Sequence, residues 1–269
     1  MSAPTFVYID YGASPLIGRE LRYSLATLLA EIPAARVVVY TDKPRAYESL
    51  LPSVTPRPLG GDYARWTRDG AYAHRIKPAV LLDALGAQGG LCALMDTDSY
   101  IQPGFAAALE AATAAGPAMD QFERRDPYPE IAGWSAALPG GAYVYDPQTA
   151  VMFNSGLIAA RAGRDEPALA EALALIDALW DDGRRLFKIE QIAVSEAFRR
   201  AGRPIGEARP TFQHYFRRSL KRYMHWRLAG WERRPFAPTR PLIAHPRNAV
   251  RAFNWVDRLM GRRLSGDRA

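Results

Sequence analysis

The chain has 269 residues, of which 48% are hydrophobic and 23% are charged. These values predict an ordinary globular protein with one sizeable α/β domain around a large buried core. The net charge is +7, but residues 199–269 hold 18 of the 35 Lys and Arg residues and only 4 of the 28 Asp and Glu residues. A basic C-terminal quarter suits phosphates, an anionic membrane surface or nucleic acid as the partner.

Composition also excludes several classes of protein. Cys92 is the single cysteine, so an internal disulfide and a cysteine cluster for zinc are both excluded. No apolar run reaches the roughly 18 residues that a membrane-spanning helix needs. The N-terminal sequence MSAPTFVYID lacks the basic and apolar regions of a secretory signal. We therefore expect a cytoplasmic protein.

Strand-like runs alternate with amphipathic helical segments through the first half of the chain. The predicted strands cover residues 5–10, 36–40 and 91–95, and the predicted helices cover residues 16–32, 71–85 and 104–115. Pro78 requires the second of these helices to bend or to begin near Lys77. Repeated strand–helix units predict a parallel sheet in a three-layer α/β/α arrangement.

Less regular segments separate and follow these units. Residues 53–58 predict an edge strand because their prolines cannot donate to a central ladder, and residues 60–69 predict a loop. Residues 121–146 have no clear periodicity and predict a functional loop that contacts a substrate.

The second half of the chain predicts one interrupted strand and two helices. The strand covers residues 151–160, and the helices cover residues 167–180 and 189–200. The strand–helix rhythm stops after Gly202. We therefore expect a core over residues 1–200 and a basic, mostly helical extension over residues 201–269, packed on the core.

The triplet Asp96-Thr97-Asp98 directly follows the apolar run LCALM. In open α/β sheets the ligand site lies beyond the carboxyl ends of the strands, which is where this triplet falls. Two unpaired carboxylates there would repel each other without a cation, and carboxylates are the oxygen ligands that Mg²⁺ and Mn²⁺ prefer. Asp96 and Asp98 are therefore predicted ligands of a divalent metal that binds a substrate diphosphate.

Several short motifs occur in the same order as in a known enzyme class. These motifs are VVYTD, KPAVLLDAL, LMDTDSYIQPG, FNSGLIAAR and IEQIAVSEAF. As a set, over about residues 5–200, they resemble the core of GT-A glycosyltransferases, including glycogenin-like enzymes and bacterial lipooligosaccharide galactosyltransferases. The resemblance implies the Rossmann-like GT-A fold with a mainly parallel sheet, a nucleotide-sugar donor, UDP-linked by preference, and Mn²⁺ or Mg²⁺ as cofactor.

The resemblance also implies roles for individual donor-binding residues. Tyr8, Thr41 and Asp42 would contact the base or ribose, although Tyr8 fits a core aromatic equally well. Arg75 and Lys77 would contact the donor diphosphate or pair with the acidic triplet, and the alternative is two solvated helix charges.

A late histidine often completes the metal site in the related enzymes. This chain offers His245 in LIAHPR and His214 in TFQHYF. We prefer His245, because it follows a short apolar run and precedes Pro246, and His214 is the second choice.

Four residues are candidates at the sugar-transfer centre. Asn154 and Ser155 offer an amide and a hydroxyl that suit sugar hydroxyls, or they form a simple turn. Glu190 is the candidate base if the enzyme inverts the anomeric configuration. If it retains the configuration, Glu190 or Gln191 would support the oxocarbenium-like centre, and an acidic residue favourable to the helix dipole is the structural alternative.

The basic tail interleaves arginine with tryptophan and phenylalanine, which suits the headgroup region of an anionic membrane. That pattern fits a lipid-linked acceptor at the inner face of a membrane, and the resemblance implies a glycan or lipid-linked acceptor. The structural alternative is a solvated arginine-rich face. Rival interpretations are a sugar-nucleotide nucleotidyltransferase and a non-catalytic protein that binds nucleic acid or membrane. The sequence lacks both a basic glycine-rich loop after the first strand and a recognised nucleic-acid motif, which disfavours these rivals.

Overall fold

The computed structural model describes residues 3–12, 14–50, 52–231 and 235–242. Helices and strands alternate through most of that part of the chain. The α-helices are α1 (Pro15–Glu31), α2 (Asp62–Thr67), α3 (Ile76–Gln88), α4 (Phe105–Thr113), α5 (Glu166–Asp181), α6 (Ile189–Arg200) and α7 (Arg218–Trp231). The strands are β1 (Thr5–Asp10), β2 (Arg36–Thr41), β3 (Val54–Pro58), β4 (Leu91–Met95), β5 (Ser99–Ile101), β6 (Ala118–Met119), β7 (Phe122–Arg125), β8 (Ser135–Leu138), β9 (Gly141–Val144), β10 (Val151–Phe153), β11 (Leu157–Arg161), β12 (Gly206–Glu207) and β13 (Phe212–His214).

A seven-stranded sheet forms the centre of the molecule, with the strand order β12-β6-β11-β4-β1-β2-β3. Strands β1 to β4 run in one direction, and β11 runs antiparallel to both of its neighbours. The predicted mainly parallel sheet is confirmed. Strand β3, which contains two prolines, lies at the sheet edge as predicted, because a proline cannot donate to a second neighbour.

Helices cover both faces of this sheet. Alternate residues of β1 point to opposite sides: Phe6 and Tyr8 join a core with α1 and α4, whereas Val7 joins a core with α3, α5 and α6. The α/β class and its three layers are therefore confirmed. Strand β4 is buried along its whole length, which explains its continuous apolar sequence.

The start of α3 follows from its local sequence. A short 3-10 helix (Ala73–Arg75) leads into Ile76, and Pro78 falls in the first turn of α3. Backbone N–H groups in the first turn of a helix make no intrahelical hydrogen bond, so a proline there removes none and the helix is not broken. This start places Lys77 at the end of the helix that faces the acidic triplet.

Two expected loops contain regular structure. Residues 60–69 include α2, and residues 121–146 include strands β7, β8 and β9. Strands of four residues are too short to show a period of their own. The β8–β9 hairpin is stabilised from outside, because its Leu138 and Tyr143 pack against α5 and α6.

The Asn-Ser-Gly break splits the predicted strand over residues 151–160 into two strands of different sheets. Strand β10 pairs with β7, while β11 enters the central sheet beside β4. The polar residues between them consequently lie at the edge of the sheet next to the acidic triplet.

The described residues after 200, up to 231, contact the sheet and α1. Strand β12 joins the central sheet, β13 pairs with β5, and α7 buries Met224, Leu228 and Trp231 against Tyr23 of α1 and its neighbours. The domain division at residue 200 remains a prediction. None of the described helices is both long and apolar enough to cross a membrane.

Candidate active site

Two aspartates and one histidine converge at the carboxyl end of β4. Asp96 and Asp98 occupy the turn between β4 and β5, and His214 ends β13, paired in register with Ser99. The Nε2 atom of His214 lies 3.2 Å from Asp98 Oδ1 and 3.5 Å from Asp96 Oδ2. One ligand atom from each residue can be chosen so that all three lie within 4.8 Å of one another. Three ligand atoms at this spacing could hold one metal ion.

The Nδ1 edge of the His214 ring is held in place by two buried oxygen atoms. Nδ1 of His214 lies 3.2 Å from Asp120 Oδ2 and 3.1 Å from Asn154 Oδ1. Arg209 in turn donates from Nε to Asp120 Oδ1 over 2.7 Å. A carboxylate that holds one ring nitrogen orients the other nitrogen towards a metal. Asp120 was not predicted from the sequence, because β6 is too short to mark it as a strand end.

Gly156 gives the histidine its space. A Cβ atom at this position would lie 2.1 Å from Nδ1 of His214. The Gly156 carbonyl also accepts a hydrogen bond of 2.8 Å from the Asp96 amide. The glycine of the Asn-Ser-Gly motif is thus required by the close approach of the imidazole to the backbone.

The charges of these three side chains depend on one another. Burial alone would lower the pKa of His214, but its bonds to Asp120 and Asp98 outweigh that effect and raise the pKa to about 9. Burial alone would raise the pKa of Asp98, but His214 and Lys221 hold it well below its usual range. Without a metal, a protonated imidazole therefore neutralises part of the acidic cluster.

Lys77 binds the first aspartate. Its Nζ donates to Asp96 Oδ2 over 2.8 Å and to Ser155 Oγ over 3.1 Å. Burial alone would lower the pKa of Lys77, but the charges of Asp96 and Glu190 raise it above its usual value. Lys77 is therefore a fixed cation beside the aspartates.

Lys221 binds the second aspartate from α7. Its Nζ donates to Asp98 Oδ2 over 2.8 Å and lies 3.6 Å from Glu20 Oε1, which also contacts His225 Nε2 at 2.7 Å. Lys221 was missed in the sequence, where it is one cation among many arginines. A usable signal existed: Lys221 and His225 are one helical turn apart, next to the buried Met224.

Glu190 lies at the start of α6 and is 3% exposed. It accepts hydrogen bonds from Ser155 Oγ over 3.2 Å and from the Tyr72 hydroxyl, which itself accepts from the Glu190 amide over 3.1 Å. Lys77 also bonds Ser155, so Asp96 and Glu190 belong to one continuous network. Tyr72 was missed because it precedes α3 in an irregular stretch.

Gln191 and Asn154 differ in how their amides are used. Gln191 is 4% exposed, and its side-chain oxygen has no hydrogen-bond partner among the described residues. Asn154 donates to Glu123 Oε1 over 2.7 Å and accepts from the Gly156 amide over 2.8 Å. Asn154 thus orients the site, and Gln191 retains an unused acceptor.

The predicted nucleoside contacts lie at the ends of β1 and β2. Thr41 is buried opposite Asp10, while Asp42 is exposed and accepts from the Gly12 amide over 2.9 Å. Lys43 Nζ lies 3.1 Å from Asp10 Oδ1. These polar groups end strands at the same edge of the sheet as the acidic triplet.

Three predicted site residues need correction or lie outside the described chain. Tyr8 is fully buried with its hydroxyl 2.9 Å from Ser24 Oγ, so it is a core aromatic with no surface for a nucleotide. Arg75 does not pair with the acidic triplet, because it makes a two-pronged ion pair with Asp177 (2.8 and 2.7 Å). His245, the preferred third ligand, lies outside the described residues, and the second choice, His214, occupies the position beside both aspartates.

Comparisons with known proteins give little beyond this geometry. No family model and no curated protein matches the chain. Among solved structures, the apo structure of the bifunctional glycosyltransferase WbbM is similar, with 13% sequence identity and a TM-score of 0.44. The similarity covers 77% of this chain and 38% of that chain, so the present chain corresponds to less than half of that protein.

Proposed function

We propose that this protein is a metal-dependent GT-A glycosyltransferase, which moves a sugar from a nucleotide-diphosphate sugar, with a UDP-sugar favoured, to a glycan or lipid-linked acceptor. One observation carries the proposal: Asp96, Asp98 and His214 converge at the carboxyl end of β4, with ligand atoms within 4.8 Å. Ligands of open α/β sheets bind at this edge.

The residues present fit a divalent cation. Two carboxylates and one imidazole, the latter oriented by Asp120, form a mixed oxygen and nitrogen set that suits Mn²⁺ and accepts Mg²⁺. When bound, the cation supplies Lewis-acid neutralisation of the charge on a leaving diphosphate. Asp96, Asp98 and His214 would hold it, and coordination positions would remain for oxygens of the donor phosphates.

Lys77 and Lys221 are the residues that we assign to the donor diphosphate. Both ammonium groups contact the aspartates that would hold the metal, at 2.8 Å each. They therefore lie where a metal-bound diphosphate would be found, and donate charge-assisted hydrogen bonds to its oxygens. Preorganised cations stabilise the charge that grows as the nucleotide leaves. Thr41 and Asp42, at the end of β2, are proposed to bind the nucleoside.

Glu190 and Gln191 are the candidates beside the sugar. If the enzyme inverts, Glu190 takes the proton of the acceptor hydroxyl, and Tyr72 and Ser155 hold its carboxylate in place. If the enzyme retains, Glu190 or the side-chain oxygen of Gln191 supports the oxocarbenium-like centre, and that oxygen lacks a hydrogen-bond partner among the described residues. The anomeric configuration of the product distinguishes the two routes.

An anionic membrane surface is part of the proposal for the acceptor. Arg218, Arg222 and Trp226 form an exposed stripe on α7, whose opposite face buries Met224 and Leu228. A basic and aromatic stripe suits lipid headgroups, and Lys221 on the same helix reaches the metal site. We propose a cytoplasmic location at the inner membrane face, and the basic and aromatic stripe supports the membrane contact alone.

A vesicle assay tests the membrane contact. The unaltered chain should sediment with phosphatidylglycerol vesicles, and the Arg222→Glu and Trp226→Ser variants should stay in the supernatant. Arg203→Glu, at the far end of α6, should sediment like the unaltered chain. Equal sedimentation of all four proteins would reject the membrane contact and leave the proposed chemistry standing.

A panel of UDP-, GDP- and dTDP-sugars, each with and without Mn²⁺, tests the proposed function. We expect one nucleotide class to raise the melting temperature only with the metal, and to be hydrolysed slowly without acceptor. No stabilisation by any nucleotide sugar in Mn²⁺ would refute a glycosyltransferase. Release of diphosphate from a nucleoside triphosphate plus a sugar phosphate would instead identify the rival nucleotidyltransferase.

A further inference from the structure

An open groove of about 510 Å³ borders the metal site. Three phenylalanines line it: Phe122 from β7, Phe187 from the loop before α6, and Phe216 after β13. Phe122 is 42% exposed and Phe187 is 79% exposed. Burial normally hides such large apolar rings, so this group of exposed rings marks a binding surface.

Basic side chains line the same groove. Arg124, Lys188 and Arg217 contribute positive charge, and Glu123 is the one carboxylate among the lining residues. Glu123 is already paired with Lys188 at 3.0 Å. Arg124 and Arg217 have no acidic partner within ion-pair distance in the part of the chain that the structure describes. The groove therefore offers two arginines to an anion.

The groove shares a wall with the metal site. The ring of Phe216 lies 4.9 Å from the ring of His214, measured between centroids. Glu123 on the opposite side accepts from Asn154, which contacts His214. A molecule in the groove would accordingly lie beside the metal ligands.

Lys188 is held in an unusual backbone conformation. Its φ angle is +66°, in the left-handed region that residues with a Cβ rarely adopt. Its ammonium lies between the rings of Phe187 and Phe216, 5.6 and 5.7 Å from their centroids, and binds Glu123. Backbone strain of this kind is concentrated at ligand sites.

We propose that this groove is the acceptor site and that it takes an acidic sugar, one that carries a phosphate or a carboxylate. The inference rests on the proposed glycosyl transfer. Ring faces of Phe122 and Phe187 suit the C–H faces of a pyranose, Glu123 accepts from sugar hydroxyls, and Arg124 and Arg217 bind the oxyanion. A purely apolar ligand would leave these charges unpaired.

Binding of small probes tests this proposal without a donor or metal. Glucose, glucose 6-phosphate, glucuronate and inorganic phosphate are titrated by calorimetry or saturation-transfer NMR into the full chain. We expect at least one of the acidic sugars to bind about tenfold more tightly than glucose and than inorganic phosphate, as a charge-assisted contact implies. Arg124→Ala and Arg217→Ala should each remove most of that preference for acidic sugars. Phe187→Ala should lower the affinity for every sugar tested.

Arg203→Ala is the matched control, because Arg203 is exposed and lies beyond the opposite end of α6 from Lys188, and this 12-residue helix is roughly 18 Å long at 1.5 Å per residue. The altered side chains are exposed, and an unchanged melting temperature confirms folding. Three results would overturn the proposal: equal affinity for glucose and both acidic sugars, inorganic phosphate bound as tightly as the sugar acids, or Arg217→Ala indistinguishable from Arg203→Ala.

Two further arms separate other sources of a similar signal. The proposal would also be overturned if the protein bound a short oligothymidine or phosphatidylglycerol vesicles but no soluble acidic sugar, and if Arg217→Ala removed that binding. The affinities for acidic sugars can be measured even if no nucleotide sugar stabilises the protein, so the two proposals can fail separately. If the protein turns over a donor but shows no preference for acidic sugars, only the proposal about the acceptor site is rejected.

Discussion

The candidate metal cluster (Asp96, Asp98 and His214) and the groove beside it differ in whether their charged side chains are paired. In the metal cluster, Asp96 and Asp98 are each matched by a lysine at 2.8 Å, and His214 lies between them. In the groove, Arg124 and Arg217 face solvent without an acidic partner among the described residues. One region is neutralised internally, and the other is left open to an outside anion.

This difference indicates how each region is expected to respond to its ligand. A cation that binds Asp96 and Asp98 must replace a proton on His214 and two lysine contacts, so its affinity depends on pH. An anion in the groove meets two arginines that have no acidic partner among the described residues, so its affinity depends chiefly on salt. Substitutions in the metal cluster should consequently have larger effects than substitutions in the groove.

The largest expected effect comes from Asp98→Asn. Loss of one carboxylate from the metal site should lower kcat/KM by about 10³-fold and abolish the Mn²⁺-dependent stabilisation by donor. Steady-state kinetics and thermal shift measure the two effects. Asp62→Asn is the control, since Asp62 is a half-buried aspartate of α2 whose ion-pair partner among the described residues is Arg65. Donor binding like that of the unaltered chain would remove Asp98 from the metal site.

The second effect concerns the lysine from α7. Lys221→Met should lower kcat by about 10²-fold, because a cation aimed at the leaving diphosphate is lost. Arg222→Met, exposed on the outer side of the same helix, should retain activity with soluble substrates. If both variants lose activity equally, Lys221 acts through the folding of α7, and its charge has no specific role at the leaving diphosphate.

The third effect is on the pH dependence of the metal-free protein. His214 has a pKa of about 9 when folded and an ordinary value of 6.5, so the folded state binds this proton more tightly. The stabilisation is complete below pH 6.5 and is lost as pH rises to 9, by about 3 kcal/mol at most. Thermal melts in EDTA measure it.

Saturating Mn²⁺ should flatten that profile, since the metal takes the place of the proton. His214→Gln should flatten it as well, both with and without the metal. A pH profile of His214→Gln that matches the unaltered chain would assign the titration to another group.

The smallest effect tests the space behind His214. Gly156→Ala places a methyl group against the imidazole, which should destabilise the fold by about 1–3 kcal/mol and weaken Mn²⁺ binding. Gly86→Ala is the matched control: Gly86 lies in α3 with no atom within 4 Å of an added Cβ, so alanine there should be neutral or stabilising. Denaturant unfolding compares the two, and equal stability would mean that His214 is free to move.

Local sequence patterns were reliable where burial is regular. The continuous apolar run of β4 and the helical spacing of α6 predicted those elements to the residue. They failed at β7, β8 and β9, since strands this short are held by the surfaces they pack on. The same limit explains why Asp120, at the end of the two-residue strand β6, was missed.

The sequence by itself determined the α/β class and the position of Asp96 and Asp98 at a strand end, because these follow from contiguous residues. Only the tertiary structure brought His214 to Asp98 across 116 residues and Lys221 to Asp98 across 123. Those contacts depend on the pairing of β13 with β5 and on the packing of α7 against α1. Local periodicity carries no information about such distant partners, so the position of His214 beside both aspartates could not be identified from the sequence.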